Sequence, residues 1–362
     1  MADYTMYGSD MSYFSGKARA YLRWKGIDFT EVQPTPDVMQ NIIIANVGWP
    51  VIPVLKTPDD RIVQDTADII AEIENVQPSP AVMPESGVQR FVSYLIQLFA
   101  DEWLLIPAMH YRWHYNEDWI FGEFGKFAAP NGSPEEQYQA GKMAGQRFQA
   151  FVPLLGVSEA TISGIEASYE ALLSDFSAHL EHHSYVLGDR PSFADFAMTG
   201  ALYAHQYRDP YTGDLMKRIA PRVADWVERM IAGEPGTGDL LGDDAIPDSL
   251  LPLLQRQMAE QLPVLEATNA MLGQWAKDAQ PGEELPRGFD MTPFTTGGAS
   301  GVCMARTFSL LRLQSALDAL DALTPEDRSK ADALLDRVGG GALKTLKLEA
   351  RLERRYYLLC LA

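Results

Sequence analysis

The stretch YGSDMSYFSGKARAYLRWKGIDF, residues 7–29, contains the pattern that decides the fold of the first part of the chain. A strand candidate at Tyr4–Tyr7 leads into a polar loop that carries Ser12 and Ser15. Beyond the loop, apolar residues recur at the spacing of an α-helix, and a second strand candidate follows at Asp28–Val32. The pattern therefore predicts a strand, a helix and a second strand, with the two serines at the start of the helix.

Two interpretations of these serines follow from the chemistry of a helix N-terminus. A serine hydroxyl can accept a backbone N–H and act as the N-cap. Alternatively, the same end of the helix favours an anion, because its N–H groups and its dipole point there. A hydroxyl in that field can donate to a bound thiolate and lower the pKa of the thiol from about 8.5. The sequence leaves both interpretations open for Ser12 and Ser15.

The second informative stretch is WPVIPVLKTPDDRIVQDTADII, residues 49–70. Pro53 interrupts an apolar strand-like run, and this predicts a cis peptide bond between Ile52 and Pro53. Such a bond would leave the backbone of Ile52 free to pair with a peptide-like ligand. Asp65 and Thr66 lie between a strand candidate and the next helix, where they can cap the helix or hold an α-amino acid head group.

The remainder of the chain is predicted to be almost entirely helical. A proline-rich joint at Gln77–Glu85 and a Gly/Asp-rich patch at Gly233–Asp248 indicate boundaries. Ser192 and Asp195 stand in the S-x-x-D relation of a capping box, in which each side chain satisfies the backbone N–H of the other residue. After residue 249 we predict helices that end with one at Leu343–Leu361, interrupted by a long Gly/Pro/Thr loop at Pro281–Gly301.

Together these motifs resemble the glutathione S-transferase superfamily. The segment SYFSGKAR at Ser12–Arg19 resembles the serine motif of the family, and VIPVL at Val51–Leu55 matches its cis-proline segment. QDTADI at Gln64–Ile69 resembles its Glu/Gln-Ser segment, and LGDRPSFADFAMTGALY at Leu187–Tyr203 resembles its buried capping box. The resemblance implies an α+β, thioredoxin-like N-terminal domain (β-α-β-α-β-β-α) at residues 1–77. It further implies an all-α domain at 86–235 and, packed on it, a helical extension at 249–362.

The resemblance also implies a function. The chain would bind glutathione as a co-substrate and activate its thiol for attack on a small apolar electrophile, by conjugation, dehalogenation, isomerisation or ether cleavage. Ser12 would donate to the thiolate, with Ser15 and then Tyr7 as alternatives. The glutathione-binding residues would be Ile52, Pro53, Asp65 and Thr66. Two other functions stay open: a non-catalytic ligand-binding or protein-interaction scaffold, and a thiol reductase that uses Cys303 or Cys360.

A pocket for the second substrate is predicted within DEWLLIPAMHYRWHYNED, residues 101–118. By the resemblance, its walls would include Tyr111, Arg112, Trp113 and His114, with Arg112 steering an anionic substrate. Alternatively, the aromatic rings belong to the core and Arg112 forms an internal ion pair. His114 shares a helix face with His110, but a metal site needs a third ligand and none is evident, so we expect no metal. The segment that would hold the glycine carboxylate of glutathione lacks a basic residue, which leaves Lys17, Arg19 or Lys56 for that role.

The amino-acid composition excludes some classes of binding partner. The chain has 362 residues with 30 Lys and Arg against 49 Asp and Glu, and its formal net charge is −19. Such a surface repels nucleic acid and anionic membranes, so we expect neither as a partner. The sequence contains neither a signal-peptide pattern nor an uninterrupted apolar stretch of membrane-spanning length, and we expect a cytoplasmic protein. The family resemblance implies a homodimer.

Overall fold

The computed structural model describes residues 4–362. The chain divides into two compact units, each assembled from several stretches. The first unit contains the described residues up to 82 together with 108–152 and 196–235, and the second contains 83–107, 153–195 and 236–362.

Helices account for most of the regular structure in residues 4–362, and strands occur near both ends of this range. The α-helices are α1 Tyr13–Trp24, α2 Pro36–Val38, α3 Ala45–Val47, α4 Thr66–Val76, α5 Gly87–Leu98, α6 Leu105–Tyr115, α7 Glu117–Ala128, α8 Pro134–Gln149, α9 Ile162–His179, α10 Phe193–Leu202, α11 Pro210–Ile219, α12 Pro221–Ala232, α13 Leu251–Glu260, α14 Leu262–Trp275, α15 Phe308–Asp321 and α16 Pro325–Val338. The strands are β1 Tyr4–Tyr7, β2 Phe29–Val32, β3 Val54–Lys56, β4 Ile62–Gln64, β5 Gly288–Thr296, β6 Ala299–Arg306, β7 Leu352–Arg355 and β8 Leu358–Leu361. Two π-helical turns, Met39–Ile44 and Phe99–Trp103, and three short 3₁₀ turns complete the regular structure of this range.

The first unit begins with a four-stranded mixed sheet in the order β2-β1-β3-β4. β1 and β2 run parallel and are connected through α1, whereas β3 pairs antiparallel with both β1 and β4. The segment between β2 and β3, which the sequence predicted to be irregular or helical, consists of α2, a π-helical turn and α3. The predicted thioredoxin-like order is therefore confirmed.

Helix α1 is anchored at several points within the first unit. Tyr21 and Trp24 both place their rings 5.4 Å from the ring of Phe196, in α10. At the end of α1, Arg23 donates from Nη1 to the carbonyl oxygen of Ile231 in α12, over 2.8 Å. These contacts fix the helix whose N-terminus carries the serine motif.

Ser192 and Asp195, the predicted capping box, both lie in the second unit. Asp195 is fully buried, and its carboxylate accepts from the backbone N–H groups of Ser192 and Val186, each over 2.9 Å. The hydroxyl of Ser192 donates to the same carboxylate over 2.7 Å. The carboxylate of Asp195 thus satisfies the backbone N–H of Ser192 at the start of α10, as a capping box requires.

Two segments of the second unit differ from the predicted extension of helices interrupted by one long loop. The Pro281–Gly301 loop is largely the hairpin β5–β6, which turns at Gly297 and Gly298, both with positive φ. The helix predicted at Leu343–Leu361 is wrong, because this segment forms a 3₁₀ turn at Gly341–Lys344 and the hairpin β7–β8.

One helical run, Gly87–Tyr115, is long and apolar enough to cross a membrane by length and composition, with a mean hydropathy of 1.2. In the structure, 89% of its most apolar window is buried inside the protein. Core helices combine apolar composition with burial in the same way, so the run is weak evidence for a membrane span.

The second unit contains a buried histidine, His179, which should make the free energy of unfolding depend on pH. His179 is 1% exposed, and its Nε2 lies 3.1 Å from the carbonyl oxygen of Tyr185 while its Nδ1 lies 3.0 Å from the hydroxyl of Ser249. Because a carbonyl oxygen only accepts, Nε2 carries the proton and Nδ1 accepts from Ser249. Burial lowers the pKa of His179 to about 4.

An unfolded histidine titrates at about pH 6.5, whereas folded His179 titrates at about pH 4. Between these two pH values the unfolded state is protonated at His179 and the folded state is not. The contribution of this residue to stability is therefore present above pH 6.5 and is lost as the pH falls, by at most about 3 kcal/mol. Urea unfolding of His179→Gln across this range should give a flatter pH profile than the wild type. His114→Gln, at an exposed position, should reproduce the wild-type profile. Parallel profiles for the wild type and His179→Gln would contradict the assignment.

Candidate functional site

The strand register brings the three predicted ligand-binding segments to one edge of the sheet. Tyr7, the last residue of β1, lies opposite Val54, the first residue of β3. Val54 in turn lies opposite Gln64, the last residue of β4. The loop that carries Ser12, the Ile52–Pro53 bond and Asp65 therefore all adjoin these strand ends.

Ser12 is the N-cap of α1. Its backbone is extended, with φ −87° and ψ 126°, and its Oγ accepts the N–H of Ser15 over 3.2 Å. The residue is half-buried. A hydroxyl that accepts one hydrogen bond keeps its own proton for donation, so the capping and thiolate-donating interpretations are compatible at Ser12.

The two alternatives to Ser12 lie in the interior. Ser15 is fully buried, and within the described residues its Oγ has no hydrogen-bond partner. A Cβ at Gly8 would lie 3.0 Å from this oxygen, so Ser15 faces the loop backbone. Ser15 is less exposed than Ser12, and its role as a second thiolate donor stays a prediction. Tyr7 is 6% exposed and belongs to β1.

The Ile52–Pro53 peptide bond is cis, as the sequence predicted. Pro53 is buried and Ile52 is half-buried. The backbone of Ile52 therefore lies at the sheet edge, two residues before the start of β3.

Asp65 occupies an unusual backbone conformation. Its φ of 83° and ψ of 137° lie in a region that residues other than glycine rarely adopt, at a cost of order 1–3 kcal/mol. Its Oδ1 accepts the N–H of Ala67 over 2.8 Å, which confirms the capping interpretation. Beside it, Thr66 is 2% exposed, and its Oγ1 is buried without a hydrogen-bond partner in the described range. A strained residue with a carboxylate and an unsatisfied hydroxyl thus lie side by side at the start of α4.

Two of the basic residues near this edge, Arg19 and Lys56, form ion pairs within the protein. Arg19 is 1% exposed and binds Glu31 through Nε and Nη2, at 2.7 and 2.5 Å, and Asp10 at 3.2 Å. Burial lowers the pKa of Arg19, but the hydrogen bonds and charges of these carboxylates outweigh burial and raise it. Lys56 pairs with Asp60 at 2.6 Å. Arg19 is therefore not held ready for the carboxylate of a ligand. The Lys56–Asp60 pair is exposed and such pairs are weak, so the role of Lys56 stays a prediction.

Three of the four residues predicted to line a substrate pocket are buried. Tyr111, Arg112 and Trp113 are 2%, 3% and 5% exposed. His114 is exposed, with its Nδ1 3.1 Å from the carbonyl oxygen of His110 in the preceding turn. Of these four residues, only His114 has an exposed side chain.

Arg112 forms the internal ion pair that the sequence left as the alternative. Its Nε and Nη2 donate to the two carboxylate oxygens of Asp209, at 2.7 and 2.8 Å. Its Nη1 donates to the carbonyl oxygen of Met11 at 2.7 Å, and Nη2 also reaches that of Ala204 at 3.0 Å. The structure therefore favours the internal ion pair over the predicted steering of an anionic substrate, because the guanidinium of Arg112 is buried and its charge is neutralised by Asp209. Sequence reasoning missed Asp209, although its position directly before Pro210 marks a helix start.

The cysteines and possible metal ligands of both units bear on the remaining alternatives. Burial raises the pKa of the Cys303 thiol to about 11, so at neutral pH the group is protonated and a poor nucleophile. Cys360 is also buried. Across residues 4–362, no group of three or more His, Cys, Asp or Glu side chains is arranged to hold a metal ion.

Comparisons with known proteins point to one family. Residues 6–81 match the family model of the glutathione S-transferase N-terminal domain, and residues 159–229 match that of the glutathione S-transferase C-terminal domain. No curated protein matches the chain.

The solved structures that match the chain include three bacterial proteins. A glutathione S-transferase from Rhodospirillum rubrum F11 is 17% identical, with 68% of this chain and 96% of that chain covered and a TM-score of 0.42. The beta-etherase LigF from Sphingobium sp. strain SYK-6 is 17% identical, with coverage of 64% and 96% and a TM-score of 0.47. A GST-like protein from Pseudomonas syringae is 16% identical, with coverage of 85% and 98% and a TM-score of 0.43.

Proposed function

The chain belongs to the glutathione S-transferase superfamily, and from this premise we propose that it is a transferase that activates the thiol of glutathione for attack on a small apolar electrophile. The observation that carries the proposal is the position of Ser12. Its half-buried hydroxyl caps α1 at the sheet edge where the cis Ile52–Pro53 bond and Asp65 also lie. We further propose that the protein acts in the cytoplasm as a homodimer.

In the proposed mechanism, Ser12 donates its hydroxyl proton to the sulfur of glutathione in a hydrogen bond. The N-terminus of α1 adds a favourable electrostatic potential, because its unpaired N–H groups and its dipole stabilise a nearby anion. Both effects favour the thiolate over the thiol, and the thiolate is the nucleophile. Proton loss to solvent completes activation. The sulfur then forms a bond to the electrophilic carbon, and the leaving group, halide in the case of an aryl halide, departs with its bonding electron pair.

The γ-glutamyl end of glutathione is assigned to the start of α4. The carboxylate of Asp65 is suited to its ammonium group. Within residues 4–362 the buried hydroxyl of Thr66 has no hydrogen-bond partner, and a small movement on binding would offer it one. The backbone of Ile52 would pair with the peptide groups of the ligand, as an added strand does.

The presence of serine at position 12 favours some glutathione-dependent reactions over others. A serine hydroxyl cannot form a mixed disulfide with glutathione, so conjugation, dehalogenation, isomerisation and ether cleavage are favoured over thiol–disulfide reduction. The raised pKa of Cys303 works against the reductase alternative in a second way, because little thiolate would be present there.

The direct test measures binding and turnover by the wild-type protein. Titration with glutathione should give saturable binding, accompanied by the ultraviolet absorbance of a thiolate at neutral pH, and an aryl halide should be conjugated. S-methyl glutathione, which has no ionisable thiol, should bind without the absorbance change. Binding without a thiolate signal and without turnover of any aryl or alkyl electrophile would support the scaffold alternative instead.

Asp65→Ala is expected to weaken glutathione binding about tenfold, since the ligand's ammonium loses a charge-assisted hydrogen bond worth about 1.5–3 kcal/mol, partly offset by relaxation of the site. Isothermal titration checks the affinity. Asp68→Ala removes an exposed carboxylate from the same turn and should bind as the wild type does. Equal affinities for Asp65→Ala and Asp68→Ala would remove Asp65 from the proposed site.

A further inference from the structure

A buried arginine from a distant helix reaches the residue that precedes Ser12. Arg112 lies in α6, 101 positions from Met11, and its Nη1 donates to the carbonyl oxygen of Met11 over 2.7 Å. Both the guanidinium and its partner Asp209 are buried, at 3% and 0% exposed. A charged pair of this kind rarely adds net stability over apolar residues of the same size, so its placement calls for another explanation.

The contact immobilises the peptide group that leads into Ser12. The oxygen of the Met11–Ser12 peptide is held by Arg112, and its N–H donates to the carbonyl oxygen of Ser9 over 3.0 Å. A planar peptide group that is held at both its oxygen and its N–H cannot rotate about the chain axis without breaking one of the two bonds. The direction in which Ser12 leaves the loop is therefore set by Arg112 on one side and the loop backbone on the other.

The rest of Ser12 is held by its own helix. The carbonyl oxygen of Ser12 accepts the N–H of Gly16 over 3.1 Å, and its Oγ accepts the N–H of Ser15 over 3.2 Å. These bonds come from the same short segment and would move together with it. Arg112 differs from them, because it ties the segment to a helix far away in the sequence.

Arginine suits this role because its planar fork presents several donors in fixed directions. Nε and Nη2 bind Asp209, Nη2 also reaches Ala204, and Nη1 is then directed at Met11. A lysine ammonium has one centre and cannot hold Asp209 and Met11 in the same geometry.

We infer that Arg112 is a positioning residue, which fixes the Met11–Ser12 peptide group so that the Ser12 hydroxyl points at the sulfur of glutathione. The inference rests on the proposed function. It assigns to Arg112 an effect on the reacting thiol without any contact with the substrate.

The test compares Arg112→Lys and Arg112→Met with the wild type. The pKa of the bound thiol, measured from thiolate absorbance as a function of pH, should rise by about one unit in both variants. The value of kcat should fall between about 10- and 100-fold, since small misplacements of catalytic groups have effects of this size, while the affinity for glutathione changes little. Loss of folding stability alone would lower the amount of active enzyme and leave the pKa of the bound thiol unchanged.

Arg208→Met is the matched control. Arg208 pairs with Glu123 and lies 5.1 Å from the ring centroid of Trp119, so its removal also breaks an ion pair in the same unit. This variant should keep the wild-type pKa of the bound thiol. If Arg112→Met does not fold, Arg112→Lys provides the comparison, because it retains the charge beside Asp209.

The outcomes separate the inference from the proposed function. A wild-type protein that binds glutathione without forming a thiolate would overturn the proposed function and the inference with it. A wild-type thiolate whose pKa is the same in the Arg112 variants would leave the function standing and overturn the positioning role. A rise in pKa that is shared by Arg208→Met would also overturn it, because the effect would then be one of general destabilisation.

Discussion

Ser12→Ala is expected to lower kcat/KM for the conjugation of glutathione by about 100- to 1,000-fold, the loss typical of one hydrogen-bond donor aimed at a developing or resting anion. The substitution removes the hydroxyl that would stabilise the thiolate and leaves the backbone of the loop in place. The pKa of bound glutathione should return towards about 8.5, the value of an unperturbed thiol. Steady-state kinetics and the pH dependence of thiolate absorbance measure the two effects together.

Stability must be separated from catalysis in this experiment, because Ser12 also caps α1. Loss of an N-cap costs about 1 kcal/mol, so a modest fall in the free energy of unfolding should accompany Ser12→Ala. Ser12→Thr retains both the hydroxyl and the cap and should recover most of the activity. Ser15→Ala removes a buried hydroxyl that has no hydrogen-bond partner in the described range and should leave activity unchanged. Near-wild-type turnover by Ser12→Ala would transfer the catalytic role elsewhere.

Local patterns were sufficient to predict the first unit up to α4. The period of the apolar residues indicated α1, and polar residues at strand ends indicated where Ser12 and Asp65 would lie. Both residues cap their helices, and Pro53 follows a cis bond. These features depend on neighbours within a few positions, which is why a single sequence reveals them.

The two hairpins of the second unit were not predicted from the sequence, for different reasons. The β5–β6 turn at Gly297-Gly298 is a recognisable hairpin signal, since both glycines adopt a positive φ, but the surrounding Gly/Pro-rich segment masks it. The β7–β8 turn consists of Tyr356 and Tyr357, which also have positive φ. Bulky residues are unusual there, so no local signal predicts this turn, and the Leu and Arg spacing on either side imitates a helix.

The hydrogen-bond partners of Arg112 could not be predicted from any local sequence pattern. Its partners Met11, Ala204 and Asp209 lie about a hundred positions away in either direction. Arginine next to aromatic residues on a helix is equally typical of a substrate pocket and of an internal ion pair. Only the tertiary fold distinguishes a guanidinium that meets a ligand from one that holds a loop.

The second unit contains a carboxylate with a comparable organising role. Glu260, the last residue of α13, is 9% exposed and lies where the tip of the β5–β6 hairpin meets the helices of its unit. One carboxylate oxygen accepts from Ser168 Oγ at 2.8 Å and from the N–H of Gly297 at 3.1 Å. The other accepts from Trp103 Nε1 at 3.1 Å and from Thr296 Oγ1 at 2.9 Å. Donors from four separate positions thus converge on one side chain.

Glu260→Gln is expected to lower the free energy of unfolding by about 3 kcal/mol, although the side chain keeps its size. The hydroxyls of Ser168 and Thr296 can rotate and accept from an amide. The N–H groups of Trp103 and Gly297 cannot, and they approach different oxygens of the carboxylate. Whichever way the amide is turned, one of these two donors faces an NH₂ group and loses its acceptor in the protein interior.

Urea unfolding monitored by circular dichroism measures the change in stability, and tryptophan fluorescence should report a changed environment of Trp103. Glu266→Gln, an exposed position on the following helix, is the matched control and should stay within about 0.5 kcal/mol of the wild type. Because Glu260 and its four donors all belong to the second unit, the thiolate absorbance of bound glutathione should be unaffected in Glu260→Gln under conditions where the protein is folded. Equal stability of the Glu260 and Glu266 variants would mean that the converging donors find other acceptors and that the hairpin is held by its apolar contacts alone.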